Sequence, residues 1–136
     1  MAKLIAIPEK FLQIDGRPFR QAKRDGDGEL VLKRDEQGKV KRNEQGEAIV
    51  ETEDAGFLEL LKGFLNTVFV VARSKKVEMT MEDSAFAVDI FREIHVVADS
   101  QLDLEDKSYK WLLDKLDKYG VDIFGINAAM VKERLT

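Results

Sequence analysis

The residues best able to do chemistry are few and scattered. Asp25-Gly26-Asp27-Gly28-Glu29 places carboxylates at alternate positions, as the start of a calcium loop does. Counting on to the loop's closing position reaches Glu36, but Leu30-Val31-Leu32-Lys33 occupies the ligand positions between, so a solvated turn is expected. His95 is the sole histidine. As a general base it needs a carboxylate or nucleophile within reach, and at helical spacing only Asp99 among Phe91, Arg92, Ala98 and Asp99 qualifies. His95 therefore reads as a structural or surface residue. There is no cysteine, which removes disulfides, thiolate metal sites and cysteine nucleophiles. Glu82-Asp83, Glu105-Asp106 and the pair Asp114 and Asp117 suit helix starts and i,i+4 ion pairs (Asp106 with Lys110, Asp114 with Lys118) before they suit a metal. No Glu-x-x-His motif, phosphate loop, dinucleotide fingerprint or nucleophile elbow occurs. The expectation is a non-enzyme with no metal and no cofactor; a hydrolase built on paired carboxylates is the rival from another class.

Binding chemistry is the alternative to catalysis. The net charge is −4 with both signs mixed, which disfavours a nucleic-acid backbone as partner. Three basic pairs, Lys23-Arg24, Lys33-Arg34 and Lys41-Arg42, could still form a stripe, and they carry the nucleic-acid-associated reading. Phe11 and Phe19 are the only aromatics of the first 53 residues. Trp111, the sole tryptophan, lies about 100° off the stripe of its predicted helix, where it either completes the core or anchors an interface. The partner-contact candidates are thus Phe11, Phe19, Lys33, Arg34, Lys41, Arg42 and Trp111.

The elements that must position these residues fall into two parts. Residues 1–53 hold five of the nine glycines and two of the eleven aromatics; they read as an extended or β-hairpin arm, not stable by itself. Leu4–Ile7 reads as a short strand. A hairpin is expected to pair Phe11–Ile14 with Arg17–Arg20 around Asp15-Gly16. Residues 33–40 and 41–48 form an eight-residue repeat, Lys-Arg-Asp-Glu-Gln-Gly-Lys-Val followed by Lys-Arg-Asn-Glu-Gln-Gly-Glu-Ala. It reads either as strands at Glu29–Lys33, Lys39–Lys41 and Ala48–Glu51 joined by glycine turns, or as a mobile loop. Residues 54–136 read as a helical domain. One helix is expected from an Asp54 N-cap through Ala72, with Gly63 allowing close packing and Thr67–Val71 open to a strand reading. A second runs from a Thr80 capping sequence to about Ala98. Gln101–Leu104 reads as an extended connector, Glu105–Tyr119 as an amphipathic helix stopped by Gly120, and a last helix is capped by Asp122 and runs to Leu135. The fold class is α+β, mainly α, with about four packed helices in 54–136. The apolar runs Leu4–Ile7 and Gly63–Ala72 are too short for a signal-peptide core and for a membrane span, which points to a soluble chain of the cytoplasm.

Ile5-Ala6-Ile7-Pro8-Glu9-Lys10-Phe11 followed by Ile14-Asp15-Gly16-Arg17-Pro18-Phe19 resembles the opening of small uncharacterised proteins encoded by tailed bacteriophages and prophages. Leu102-Asp103-Leu104-Glu105-Asp106 has a similar look, and residues 33–48 would be an insertion in that pattern. The resemblance implies phage origin and location in a bacterial host's cytoplasm or the virion; it assigns no functional residue. The expected function is interaction with a protein partner or with further copies of the chain, in assembly or as a virion component, with a regulator or inhibitor of a host protein as the alternative.

Overall fold

The computed structural model describes residues 2–97 and 100–136. The chain is α+β: β1 (Ala2–Ala6), β2 (Phe19–Ala22), β3 (Thr52–Ala55), α1 (Phe57–Ser74), α2 (Met81–His95), β4 (Gln101–Glu105), α3 (Asp106–Phe124), a 3-10 turn (Gly125–Asn127) and α4 (Ala128–Leu135). It divides into two units, Met1–Arg17 with Gly56–Thr136, and Pro18–Ala55. This division departs from the compositional shift near residue 53, because residues 5–14 attach to the helices. Ile5 is buried in their core. Phe11 sets its ring edge-on to Phe57 at 5.0 Å. Asn127 accepts the Ile14 N–H at 2.9 Å and donates to Gln13 Oε1 at 3.3 Å.

In the helical unit, α1 buries Phe57, Leu61, Phe64, Leu65, Val68 and Ala72, a spacing that makes one continuous face of a 3.6-residue helix. α2 contributes Ala87, Ile90 and Ile94; α3 contributes Trp111, Leu112, Leu116 and Tyr119; α4 adds Val131 and Leu135. β1 and β4 pair antiparallel, Ile5 opposite Leu102. The alternation of β4 turns Leu102 and Leu104 inward. α3 touches α1, α2, α4, β1 and β4 and is the centre of the unit. Among the described residues no buried side-chain nitrogen or oxygen lacks a partner.

Several sequence expectations are corrected here. The helices are three long ones and a short α4, not four comparable members. Asp54 lies in β3, and α1 starts from an extended Gly56 with no side-chain cap. Gly63 meets only open space, so it aids no close packing. Gly120 lies inside α3, because the apolar face of Leu116 and Tyr119 continues through Ile123 and Phe124; the chain reverses at Gly125, whose φ is 58°. Asp122 sits within α3 and pairs with Lys75 at 2.6 Å instead of capping a helix. Thr67–Val71 is helical. The Thr80 capping box is present, with Asp83 as its acid. Ala98 and Asp99 lie outside the described residues.

The unit Pro18–Ala55 has a branched β architecture. β2 and β3 pair antiparallel from Phe19–Ala55 to Ala22–Thr52. The chain does turn at Asp15-Gly16 as expected, with Gln13 N–H bonded to Arg17 O and Gly16 N–H to Gln13 O, both at 2.9 Å, and Gly16 at φ 84°; the pairing that residue order did not show is that of β2 with β3. The ladder then meets a ring of three backbone hydrogen bonds: Lys23 N–H to Glu51 O (2.9 Å), Glu51 N–H to Val31 O (2.8 Å) and Val31 N–H to Lys23 O (3.0 Å). One hairpin leaves this ring, bridged at Arg24–Leu30. The Leu32–Val50 bridge leads to a second ring, Lys33 N–H to Ile49 O (2.8 Å), Ile49 N–H to Lys41 O (3.0 Å) and Lys41 N–H to Lys33 O (2.9 Å). Two more hairpins leave it, bridged at Arg34–Val40 and Arg42–Ala48.

The three tips are built alike. Each is a type I turn closed by a left-handed glycine, Gly28, Gly38 or Gly46 at φ 80–81°. Asp25, Asp35 and Asn43 each accept two backbone N–H groups of their own tip. Arg24, Arg34 and Arg42 each donate Nη1 to the glycine carbonyl, at 2.8, 3.0 and 2.8 Å. The repeat therefore has a third copy, Lys23-Arg24-Asp25-Gly26-Asp27-Gly28-Glu29-Leu30, in a sequence where only two are obvious. Within 18–55 only Phe19 and Ala55 are buried among the apolar residues; backbone hydrogen bonds and turn chemistry hold the rest.

Two substitutions test this account with opposite signs. α1 ends in a Schellman motif, Val77 N–H to Ala72 O and Lys76 N–H to Arg73 O, with Lys76 at φ 60° where glycine is usual. Lys76→Gly is expected to raise stability by up to about 1 kcal/mol in urea unfolding. Gly38→Ala imposes a left-handed cost of about 1–2 kcal/mol. Tryptic cleavage between Lys33 and Lys41 should then rise roughly 5–30-fold while the helical circular dichroism is unchanged.

Candidate functional site

α1 and α2 both turn their core faces toward α3, and this leaves a trough along their outer sides. Its floor is Leu65 and Ala87; Phe69 of α1 and Val88 and Phe91 of α2 form the walls; Asn66, Ser84 and Arg92 edge it. Its volume is about 390 Å³. A second recess of about 320 Å³ continues from Phe69 past Arg73, Val77, Glu78 and Met79. Of the side chains lining it, Val88 is 43% exposed; elsewhere on the same two helices Val70 is 67% and Met81 84% exposed. This apolar recess, on a surface otherwise rich in charge, is the candidate site.

The trough is edged with cations. Lys62 Nζ stands 5.9 Å over the Phe91 ring. Arg73 and Arg92 lie in the last turns of their helices, where they also suit the helix dipole. None of the three has an ion-pair partner among the described residues. The acids of α2 lie elsewhere: Asp89 and Glu93 line a small recess with Leu104, Glu105 and Ser108. Glu59 of α1 folds back over Gly56, its Oε2 2.9 Å from where a Cβ there would stand.

The wall that α2 provides is held by one polar network. Asp83 Oδ2 accepts the Thr80 N–H at 2.8 Å and the Thr80 hydroxyl at 3.0 Å. Asp83 Oδ1 accepts the Trp111 indole N–H at 2.8 Å and faces Lys115 Nζ at 3.7 Å. Burial pushes the Asp83 carboxyl up, but the Thr80 backbone, Trp111 and Thr80 side-chain hydrogen bonds and the Lys115 charge outweigh it and hold the group below its ordinary value. One carboxylate thus joins the start of α2 to the middle of α3.

The structure places the sequence-derived candidates differently from one another. Trp111 is 8% exposed, stacks on Phe86 at 6.1 Å and gives its only N–H to Asp83, so it completes the core and is not an open anchor. Phe11 packs on the core and Phe19 is buried. Lys33, Arg34, Lys41 and Arg42 are exposed. The second backbone ring brings the two pairs to the roots of neighbouring hairpins, but acids outnumber bases in 18–55 and the arginines brace their own turns. His95 is exposed, its ring 5.2 Å from Phe91 at the trough's end. Among the described residues no group of three or more histidine, aspartate or glutamate side chains converges as a metal site requires.

Sequence reasoning missed Phe69, Val88 and Phe91, and with them Lys62, Arg73 and Arg92. A signal existed: Val68-Phe69-Val70-Val71 is apolar around most of a helical turn, more than one core face can use. The chain matches no protein-family model, no curated protein and no solved structure.

Linkage fixes the sign of the pH effect. A depressed folded-state carboxyl contributes stability above the unfolded value, 3.8, and loses it as pH falls through the folded value. Wild-type stability is expected to drop on acidification below about pH 4, and Asp83→Asn to remove part of that drop. Asp83→Ala should cost about 2 kcal/mol through the lost cap and the orphaned indole, read by urea unfolding monitored on Trp111 fluorescence.

Proposed function

We propose that the protein is a non-enzymatic interaction protein whose helical unit docks on a protein partner, or on a further copy of the chain, through the α1–α2 trough. The observation that carries this reading is the apolar recess lined by the half-buried Phe69 and Phe91 and the exposed Val88, beside three cations that have no ion-pair partner among the described residues. The resemblance of residues 5–19 to phage-encoded small proteins supports a role in assembly or as a virion component, or in regulating a host protein, in the bacterial cytoplasm or the virion. Among the described residues no helix is long and apolar enough to cross a membrane. A nucleic-acid backbone is the poorer fit, because the basic pairs belong to a unit, 18–55, in which acids outnumber bases.

The test compares wild type with Val88→Asp, a solvent-facing change that should leave helical circular dichroism intact. Wild type is expected to show concentration-dependent self-association in light scattering or to retain a discrete protein from a bacterial extract, and Val88→Asp to lose whichever is seen. A strictly monomeric wild type whose captured proteins equal those of the variant overturns the proposal.

A further inference from the structure

We infer that the segment seated in the trough is an acidic amphipathic helix supplied by another protein. This rests on reading the trough as a docking surface, and adds the conformation and charge of what it takes. The conformation follows from the walls. Both are helices whose backbone groups are bonded internally, and the edges offer few polar groups, chiefly Asn66 and Ser84. An extended segment laid there would leave its own N–H and C=O groups facing apolar side chains, at a cost comparable to lost hydrogen bonds. A helix satisfies its backbone internally and presents only side chains, which is the mode used by grooves of this kind. The trough is open along its solvent side, so a small apolar molecule would stay largely exposed there, unlike a ligand in an enclosing pocket.

The charge follows from the rim. Lys62, Arg73 and Arg92 flank the apolar strip, and none is neutralised by an acid among the described residues. Counting about 100° per residue from Val88, Glu82, Asp89 and Glu93 fall about 100–140° round α2, away from the trough. Glu78, at the far end of the second recess, is the only acid among the residues lining the two recesses. A helix with apolar residues at i, i+4 and i+7 would rest them on Phe69, Val88 and Phe91, with glutamates or aspartates along its flanks meeting the three cations. A basic helix would meet the same cations as repulsion, so the rim selects as well as attracts.

The experiment is a selection of a displayed randomised peptide library on the immobilised protein, with Phe91→Asp as the counter-target. Enriched peptides are expected to be helix-forming, with an i, i+4, i+7 apolar stripe flanked by Asp or Glu. Their affinity should fall about tenfold when Lys62→Glu, Arg73→Glu and Arg92→Glu are combined, and should fall with added salt. Each single reversal should weaken binding in the same direction, which keeps the test decisive should the triple variant fold poorly. Enriched peptides that are basic or neutral, that are proline-rich or extended, or whose affinity is indifferent to the reversals overturn the inference. Such peptides would still lose binding to Phe91→Asp, leaving the docking surface intact. No enrichment over Phe91→Asp overturns the inference too, and the Val88→Asp comparison then decides the broader proposal separately. Binding to anionic lipid vesicles with no peptide enrichment would assign the cations to a membrane surface and equally refute it.

Discussion

Helix α3 must satisfy neighbours on every side. Leu112 is fully buried and Leu116 nearly so, and the same helix meets α1, α2, α4 and both strands of the β1–β4 pair. A single helix is about 10 Å across, so two helices that both lean on it face one another only along their inner edges. Their outer edges diverge, and the apolar side chains that lie there are covered less fully than those facing α3. Phe69 and Phe91 are half-buried there and Val88 is exposed. The trough is therefore a geometric consequence of how the core of the helical unit is closed.

The polar network around Asp83 decides how well that geometry is kept. A capping acid normally serves its own helix. Here the second oxygen of the same carboxylate receives the Trp111 indole, so the beginning of α2 is tied to α3 by a charge-assisted hydrogen bond at low exposure. Local structure and tertiary packing depend on one side chain. The arrangement also explains why the sole tryptophan is not a surface anchor: with its ring against Phe86 and its N–H on Asp83, it has neither face nor donor free.

The 18–55 unit follows a different physics. Its apolar residues are mostly half-exposed, and its order comes from two rings of backbone hydrogen bonds and three matching tips. Each ring joins three strands where a ladder would join two, and each N–H and C=O in it is used once. Such a unit is rich in local contacts and poor in buried area, which makes glycine geometry and side-chain turn bonds matter more than side-chain size.

Much was legible in residue order alone. The α+β class, the core stripe of α1, Leu112 and Leu116 of α3, the Thr80 capping box, the extended stretch at Gln101 and the glycine turns all follow from propensity and periodicity, which act over a few residues. Other features depend on residues far apart in sequence. Whether Gly120 or Gly125 stops α3 depends on α4 packing against it, and Trp111 becomes core because Asp83 lies opposite. The strand at Phe19 pairs across thirty residues with Thr52–Ala55, since the intervening hairpins fold back on themselves. The site was the least legible part: a helix pattern shows which residues are apolar, but only the placement of α1 and α2 on α3 decides which of those are left partly open at the surface.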